Sequence, residues 1–252
     1  MKSRQEAIIR ILNQKKYVSV AGLVTQLHYS ESTIRRDLTA LEKLKLVKRT
    51  AGGAVLIKDN LIENPYLIKY KINTEEKSLI AELAIDFIED YSTVFLDASS
   101  TSRFLAEKIG KNRENVKVIT PNLMTALEID SQPKNNVYCI GGLVTDGKVG
   151  GSLSEKLLRE LQVDFAFVSC RGYDNLFGAS DILESEAGIK KTVIANSQKV
   201  ALLLDYSKFD KHYTFQSVPA QKIDYMITDK KPAAKFMPEE NGLDYELIYW
   251  ND

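Results

Sequence analysis

Residues 32–38 read Ser-Thr-Ile-Arg-Arg-Asp-Leu and lie in a stretch whose apolar residues recur at helical spacing. This spacing predicts an amphipathic helix that Ser30 or Glu31 opens. Its apolar positions are Ile34, Leu38, Leu41 and Leu44. Hydroxyl and guanidinium groups occupy its other faces near the N-terminal turn, where a DNA-recognition helix meets the major groove.

Further elements are predicted on both sides of this helix. Residues 4–12 have the pattern of an amphipathic helix, and Ser19 is placed to cap a second, shorter one. After the third helix, the β-prone runs 46–49 and 54–57 enclose Gly52-Gly53, which predicts a hairpin. Three helices followed by a hairpin are the order of a winged helix-turn-helix.

The charge distribution separates this segment from the rest of the chain. Residues 1–58 contain twelve Lys and Arg against four Asp and Glu, an excess of eight positive charges. Because the 252-residue chain has a net charge of zero, residues 59–252 carry eight excess negative charges. Such a basic segment favours a polyanionic partner, and the helical pattern within it indicates double-stranded DNA.

Six side chains in the basic segment are the candidate DNA contacts. The helix supplies hydroxyls and guanidinium groups for phosphates or base edges, and the hairpin supplies cations for the flanking backbone. The candidates are Ser32, Thr33, Arg35, Arg36, Lys48 and Arg49. The alternative is a solvated helix face in which Arg36–Asp37 and Glu42–Lys45 form local ion pairs.

The rest of the chain has the pattern of an α/β domain. Residues 59–73 lack a sustained period and are predicted to be a linker between a DNA-binding domain at 1–58 and a second domain at 74–252. From there, short apolar runs alternate with helical patterns, which predicts a mainly parallel sheet. The predicted strands are 93–96, 116–119, 137–140, 165–169, 200–204, 225–228 and 246–249, and the main helices are 76–89, 101–109, 122–130, 152–161 and 184–197.

In open α/β sheets, ligands bind beyond the carboxyl ends of the strands. The first predicted strand is followed by Asp97 and by hydroxyls at Ser99, Ser100, Thr101 and Ser102, which open a helix and suit a phosphate. The alternative is an ordinary helix cap, which needs only one hydroxyl. The next two strands end at Asn122 and at Gly141-Gly142, so a shared pocket is expected at this edge.

The motifs resemble those of the DeoR family of bacterial regulators over nearly the whole chain. The helix resembles its T-[IV]-R-R-D-L string, and residues 49–54, Arg-Thr-Ala-Gly-Gly-Ala, resemble its wing motif, with Ala51 where histidine is common. Further matches are residues 96–102, 120–122, 141–142 and 169–172, Glu186 with Lys190, and residues 205–209. The resemblance implies a sensor domain similar to ribose-5-phosphate isomerase and glucosamine-6-phosphate deaminase.

The departures from the family motifs concern the identity of the effector. Ser99 replaces a glycine, Pro121 removes a backbone donor, and Arg171 replaces a small serine. Arg171 either adds a bidentate contact to a phosphate or narrows the pocket; both alternatives stay open. The resemblance implies that Glu186 and Lys190 also belong to the effector site.

These patterns predict a DNA-binding regulator rather than an enzyme. Asp97, Glu186 and Lys190 could serve as the base and the stabilising groups of a sugar isomerase, but each also suits hydrogen bonding to a ligand, and no second carboxylate can be assigned as the partner base. We expect a repressor of a sugar-metabolism operon that binds its operator as a homodimer or homotetramer and responds to a phosphorylated sugar or related metabolite. No cofactor or metal is expected, and Cys139 and Cys170 are predicted to be buried. With neither an apolar membrane span nor a signal peptide, the expected location is the cytoplasm.

Overall fold

A computed structural model describes residues 3–15, 17–44, 46–56 and 65–251. The chain divides into two compact units, Met1–Ile72 and Asn73–Asp252. The first unit contains α1 (Ser3–Lys15), β1 (Tyr17–Ser19), α2 (Val20–Leu27), α3 (Glu31–Lys43), β2 (Val47–Thr50), β3 (Gly53–Leu56) and α4 (Tyr66–Tyr70). Its three strands form an antiparallel sheet in the order β1-β3-β2, so the predicted hairpin, β2–β3, is present. The last residue predicted for this hairpin, Ile57, lies outside the described residues.

Side-chain caps position the two helices of the predicted helix-turn-helix. The Ser19 hydroxyl accepts a hydrogen bond from the backbone N–H of Gly22 at 3.0 Å, and the Ser30 hydroxyl accepts one from that of Thr33 at 3.4 Å. His28 ends α2 in the left-handed conformation with φ of 57°. These caps satisfy N–H groups that the first turn of each helix leaves unpaired. The predicted cap at Ser19 and the predicted opening of α3 are confirmed.

A buried ion pair joins α1 to α3 in the first unit. The Asp37 carboxylate is almost completely buried, receives a hydrogen bond from the Arg4 guanidinium, and accepts another from Gln5 Nε2 at 3.2 Å. The proposed local pair Arg36–Asp37 is therefore wrong, because Asp37 faces α1 while Arg36 is exposed. The other suggested local pair involves Lys45, which lies outside the described residues.

The described structure corrects part of the predicted linker. Residues 66–70 are helical, and Ile68 is buried in the apolar core of the first unit. This burial explains why the first unit extends to Ile72, whereas the sequence prediction ended the DNA-binding domain at 58. Residues 59–64 lie outside the described part of the chain, so the linker stays a prediction there.

The second unit contains a seven-stranded sheet whose neighbouring strands are all parallel, in the order β15-β14-β12-β9-β4-β5-β6. In chain order its elements are α5 (Thr74–Ala84), β4 (Thr93–Leu96), α6 (Ser100–Asn112), β5 (Lys117–Thr120), α7 (Leu123–Asp130), β6 (Asn136–Cys139), β7 (Leu143–Thr145), β8 (Lys148–Gly150), α8 (Ser152–Leu158), β9 (Val163–Ser169), β10 (Gly172–Asp174), β11 (Gly178–Asp181), α9 (Glu184–Ile194), β12 (Ser197–Leu203), β13 (Phe215–Val218), β14 (Tyr225–Thr228) and β15 (Glu246–Tyr249).

Two apolar layers cover the faces of this sheet. One layer contains buried side chains of α5, α6 and α7, and the other contains buried side chains of α8 and α9. All seven predicted strands correspond to strands of the sheet, and the α/β fold class is confirmed. The sequence did not predict the small antiparallel sheet β10-β11-β13 or the β7–β8 hairpin, because their strands are short and lack clear alternation.

The two cysteines differ in their surroundings. Cys170 is buried as predicted, whereas Cys139 is exposed, so the prediction for Cys139 is wrong. Cys139 ends β6, which is an edge strand and has a neighbour on one side only. Among the described residues, no group of three or more His, Cys, Asp or Glu side chains could hold a metal ion. In the same part of the chain, no helix is long and apolar enough to span a bilayer.

Replacing Arg4 by methionine is expected to loosen α3 selectively. The change leaves the Asp37 carboxylate buried without its cation, a strongly unfavourable arrangement. Hydrogen exchange of the α3 amides in the full chain should accelerate by at least ~10-fold. Arg10→Met is the matched control, because Arg10 lies on the same helix and is exposed. Equal exchange rates in the two variants would contradict a stabilising role for the Arg4–Asp37 pair.

Candidate DNA interface and effector site

A cluster of hydroxyl groups lies at the N-terminal end of α3. The Ser30 hydroxyl is 3.1 Å from that of Ser32 and 2.9 Å from that of Thr33. Ser32 is exposed and Thr33 is half-buried. These donors stand beside backbone N–H groups at the positive end of the helix dipole, so the end of the helix can accept a phosphate oxygen.

The two arginines of α3 have different surroundings. Arg35 forms an exposed ion pair with Glu31, four residues earlier, at 2.7 Å. Such exposed helical pairs contribute only ~0.3–0.5 kcal/mol, so a phosphate can displace Glu31 at little cost. Arg36 is also exposed, and the neighbouring Asp37 is already held by Arg4. Both guanidinium groups are therefore available to an anionic partner.

The hairpin places its two predicted cations on β2, next to α3. Lys48 and Arg49 are both exposed. The Arg49 guanidinium donates to the Thr39 hydroxyl at 2.9 Å, and its backbone N–H donates to Glu42 Oε1 at 3.0 Å. These bonds hold the hairpin against α3, so all six predicted DNA contacts lie on two adjoining elements of the first unit.

In the second unit, Asp97 is the centre of the polar network beyond β4. One carboxylate oxygen accepts hydrogen bonds from the Ser99 N–H at 3.0 Å and the Ser102 hydroxyl at 2.6 Å. The other accepts one from the Ser169 N–H at 2.9 Å and lies 3.4 Å from Lys190 Nζ. Because its side chain is only 1% exposed and several internal donors occupy it, Asp97 positions the turn between β4 and α6.

The hydroxyl-rich turn is partly a helix cap. Ser99 caps α6, accepting a hydrogen bond from the Ser102 N–H at 3.1 Å, and the two hydroxyls are also 3.1 Å apart. Ser100 and Thr101 are buried in the first turn of α6, and the Thr101 hydroxyl has no hydrogen-bond partner among the described residues. The alternative of an ordinary cap therefore describes Ser99 and Ser102 but does not account for the Thr101 hydroxyl.

Asn122 joins two neighbouring turns at the carboxyl edge of the sheet. Its side-chain oxygen accepts hydrogen bonds from the N–H groups of Met124 at 2.8 Å and Thr125 at 3.1 Å, which caps α7. Its amide nitrogen donates to the Ala98 carbonyl at 3.0 Å. Since Asn122 is fully buried and its amide is engaged in both directions, it fixes the geometry of the turns.

The predicted glycine pair has a structural explanation. A Cβ on Gly142 would lie 2.1 Å from the Ser154 hydroxyl and 2.9 Å from the Gly150 carbonyl, whereas one on Gly141 would meet nothing closer than 3.8 Å. The Ser154 hydroxyl donates to the Gly141 carbonyl at 2.8 Å. The close approach that requires a glycine is thus between the hairpin and α8, within the protein itself.

Lys190 is buried between two carboxylates. Its ammonium lies 2.7 Å from Asp181 and 3.4 Å from Asp97, and all three side chains are at most 5% exposed. Burial disfavours the ammonium, but the carboxylates of Asp181, Asp97 and Glu186 outweigh burial and raise the pKa of Lys190 above its ordinary value. Lys190 therefore supplies the positive charge that neutralises part of a buried acidic cluster.

The other residues predicted for the effector site lie around this cluster. Glu186 forms an ion pair with Lys148 of β8, which the sequence analysis did not single out. Arg171 is half-buried; its guanidinium lies 5.9 Å from the centre of the Tyr213 ring, and its Nε atom is buried without a hydrogen-bond partner among the described residues. Among the described residues, no carboxylate forms an ion pair with Arg171. The Arg171 guanidinium is therefore a candidate contact for an anion.

A second lysine, Lys208, lies next to this cluster through its contact with Ser169. Lys208 Nζ donates to the Ser169 hydroxyl at 2.7 Å and lies 3.8 Å from Asp205. Burial opposes ionisation of Asp205, but Lys208 and hydrogen bonds from Ser207 outweigh it and lower the pKa of Asp205. The 205–209 motif supplies these groups, although the sequence analysis did not include them among the site residues.

Comparison with known proteins identifies the family. A family model for a DeoR-like helix-turn-helix domain matches residues 4–60, and one for a DeoR C-terminal sensor domain matches residues 72–230. The chain belongs to the DeoR family of transcriptional regulators. It is 35% identical to the HTH-type transcriptional regulator GolR of Listeria innocua, with 90% of each chain covered. It is 29% identical to the glycerol-3-phosphate regulon repressor of Escherichia coli, with 93% of each covered.

Among solved structures, a D-ribose-5-phosphate isomerase in complex with phospho-erythronic acid is similar at a TM-score of 0.42 and 15% identity, over 54% of each chain. The sequence relatives are named as transcriptional regulators, and this DeoR-family chain is a regulator rather than an enzyme. The predicted family is confirmed; the roles predicted for individual site residues stay predictions.

Replacing Lys190 by methionine in this DeoR-family protein should destabilise the second unit by about 3–5 kcal/mol at pH 7, since two carboxylates lose their cation. Burial already raises the pKa of Asp181, and losing the ammonium removes the interaction that lowers it, so the loss is full at high pH and shrinks as the pH falls and this carboxyl is protonated. Urea unfolding followed by the fluorescence of Trp250, the single tryptophan, measures the loss.

The matched control is Lys191→Met, because Lys191 is exposed on the same helix. We expect its unfolding free energy to stay within ~0.5 kcal/mol of the parent protein. A Lys190→Met loss that is equal at pH 7 and pH 5 would contradict the stranded-carboxylate explanation.

Proposed function

We propose that this DeoR-family protein represses a sugar-metabolism operon. In this proposal it binds a double-stranded operator through α3 and the β2–β3 hairpin, and a phosphorylated sugar or related metabolite in the second unit modulates that binding. The observation that carries the proposal is the exposed surface of α3, where Arg35 and Arg36 stand beside a hydroxyl cluster. The protein would act in the cytoplasm, where bacterial operator DNA lies.

The DNA-binding part of the proposal rests on how the charges of the first unit are used. The acidic residue within the recognition string, Asp37, is turned inward to Arg4, so its charge does not oppose a phosphate at the outer face of α3. Arg35 and Arg36 then reach phosphates or guanine edges, while Lys48 and Arg49 neutralise the flanking backbone. Since repeated or palindromic operators match two-fold proteins, we propose a homodimer or homotetramer.

The effector part rests on the polar groups left over at the carboxyl edge of the parallel sheet. Asp97, Asn122, Ser99 and Ser102 bind one another and hold the two turns in place. The first turn of α6 then offers its N-terminal N–H groups and the Thr101 hydroxyl to an anion. A phosphate in this turn, with Arg171 as a further cation, is the arrangement that we propose.

The names of the relatives favour this class of effector. A relative named as a glycerol-3-phosphate regulon repressor points to regulation linked to a phosphoester. For the ligand to release the operator, it must bind the operator-competent and the released state with different affinities, and differences of ~1–3 kcal/mol are typical of allosteric proteins. Repression relieved by the effector is the direction that we propose.

Replacing Arg35 and Arg36 together by alanine should abolish specific operator binding. If each arginine contacts one phosphate, the slope of log affinity against log salt should also decrease by about 2. Electrophoretic mobility shifts at several salt concentrations measure both effects. The charge-matched control is Arg159→Ala with Lys191→Ala on exposed positions of the second unit, and it should leave the operator affinity unchanged. Unchanged affinity in the Arg35/Arg36 variant would mean that another surface reads the operator.

Phosphorylated sugars should stabilise the second unit, whereas their parent sugars should not. A ligand at ~100 times its dissociation constant adds about 2.7 kcal/mol to the free energy of unfolding. Thermal unfolding with glycerol 3-phosphate, glucose 6-phosphate and ribose 5-phosphate tests this. The controls are glycerol, glucose, ribose and inorganic phosphate. Arg171→Met should weaken the stabilisation and Arg159→Met should not. If no phosphoester raises the melting temperature, the effector belongs to another chemical class.

A further inference from the structure

An uncharged strand edge with exposed apolar side chains on both sides lies at one end of the seven-stranded sheet. β6 is the terminal strand, and its residues Asn136, Val137, Tyr138 and Cys139 carry no charge. Proteins normally protect such edges with charged residues, prolines or covering segments, because exposed N–H and C=O groups pair readily with another chain. The opposite edge, β15, begins with the exposed Glu246.

The helices that flank β6 expose several leucines beside exposed polar residues such as Asp130 and Lys156. α7, in the layer on one face of the sheet, exposes Leu127 at 62%, and α8, in the layer on the other face, exposes Leu153 at 58% and Leu157 at 40%. The β7–β8 hairpin adds Leu143 at 75% and Val144. With Tyr138 of β6 itself, these six side chains form what we call the β6 face.

Backbone and side-chain contacts show that the β6 face is continuous. α7 packs against β6, and the N–H of Leu123 at its start donates to the Gly147 carbonyl at 2.9 Å, in the turn of the hairpin. The Ser154 hydroxyl of α8 donates a hydrogen bond to the carbonyl of Gly141, the second residue after β6. A Cβ added to Gly141 would lie 3.8 Å from Leu157 Cδ1, so α8 packs close to the end of the strand. Strand edge, hairpin and both helices therefore share one side of the second unit.

We propose that the β6 face binds a second copy of this chain, with the two β6 strands pairing antiparallel about a two-fold axis. A strand edge is self-complementary under such an axis, and the axis also brings each leucine-bearing helix against its own copy. Each of the six side chains is 40% to 75% exposed, so together they form an apolar patch on the order of several hundred Å², as large as the largest patches of typical monomers, which often serve in binding.

This interface goes beyond the proposed function, which requires a symmetric oligomer but names no surface for it. The neutral edge favours a copy over a charged partner, because it offers a charged partner no opposite charge, while two copies that meet at an uncharged strand do not repel each other. Pairing also satisfies the outward N–H and C=O groups of β6, which a purely apolar ligand would leave unpaired once water is excluded.

The test compares two variants of the full chain. The double variant carries Leu127→Glu and Tyr138→Glu, and the control variant carries Leu176→Glu. The two-fold axis would bring the new carboxylates against their own copies, so we expect the dimer dissociation constant to rise at least ~100-fold. Leu176 is 97% exposed on the turn between β10 and β11, away from the β6 face, so its variant should leave the dissociation constant unchanged. Sedimentation equilibrium of the full chain measures both, and circular dichroism checks that the variants fold.

Cys139 supplies a second readout within the same strand. Its thiol is exposed in the single chain, whereas Cys170 is buried, so only Cys139 reacts rapidly with Ellman's reagent in the folded protein. In the parent protein the reaction should slow as the concentration rises through the dissociation constant. In the double variant, and in Leu157→Glu from the other layer, it should stay fast at all concentrations.

Three results would overturn the proposal. The parent chain could sediment as a monomer at all concentrations, in which case the β6 face serves another occupant. The double variant could keep the parent's dissociation constant, or Cys139 could react at the same rate in monomer and dimer, which places the dimer contact elsewhere. A monomeric parent chain would also contradict the homodimer or homotetramer of the proposed function, whereas the other two results leave that oligomer in place and move only its contact. Operator binding and effector binding are measured separately, so their failure is distinct from failure of the interface.

Discussion

The ammonium of Lys190 is held between the carboxylates of Asp97 and Asp181 at a depth where water does not screen them. Removing such charges from water is expensive, and the cost is recovered only while all three groups keep their partners. The three residues come from the turn after β4, from β11 and from α9, so the electrostatic requirement fixes three separate segments relative to each other. Asp97 also binds the Ser169 N–H and thereby links this cluster to the central strand β9.

The rest of the candidate effector site depends on that arrangement. Asp97 holds Ser99 and Ser102, which cap α6, and Asn122 holds Ala98 from the neighbouring turn while capping α7. The N-termini of two helices are thus kept at the same edge of the sheet by side chains that are themselves buried. Preorganised donors of this kind bind an anion without paying for reordering of the turn at the moment of binding.

Much of the fold could be predicted because strands and helices of this chain have clear periods. The hydroxyl-rich turn after β4 was also recognisable, but sequence could not distinguish hydroxyls that cap from hydroxyls left for a ligand. The difference depends on which side chain reaches Asp97. The sequence also did not indicate which distant residues pair with the site residues. Lys190 pairs with Asp181 of β11, a strand too short to show a period, and Glu186 pairs with Lys148 of the β7–β8 hairpin. Cys139 sits in an apolar run, which cannot reveal whether its strand is central or at an edge.

The same contrast applies to the first unit. The recognition string predicted a helix and the exposure of its arginines, because these follow from spacing along one segment. The inward position of Asp37 depends on Arg4, which lies 33 residues earlier in the chain. Asp37 is therefore needed for packing along with the apolar Ile34 and Leu38, and the string combines contacts that hold α3 in place with groups that face outward.

The glycine pair at 141–142 has a consequence for how sequences of this kind diverge. A side chain at 142 would overlap the Ser154 hydroxyl and crowd the Gly150 carbonyl, whereas 141 has room for one. Over evolutionary time the first glycine is therefore open to replacement, while the second can change only together with its neighbours on α8 and β8. In distant homologues, a lone glycine after the third strand of the parallel sheet would still mark the point where the hairpin begins.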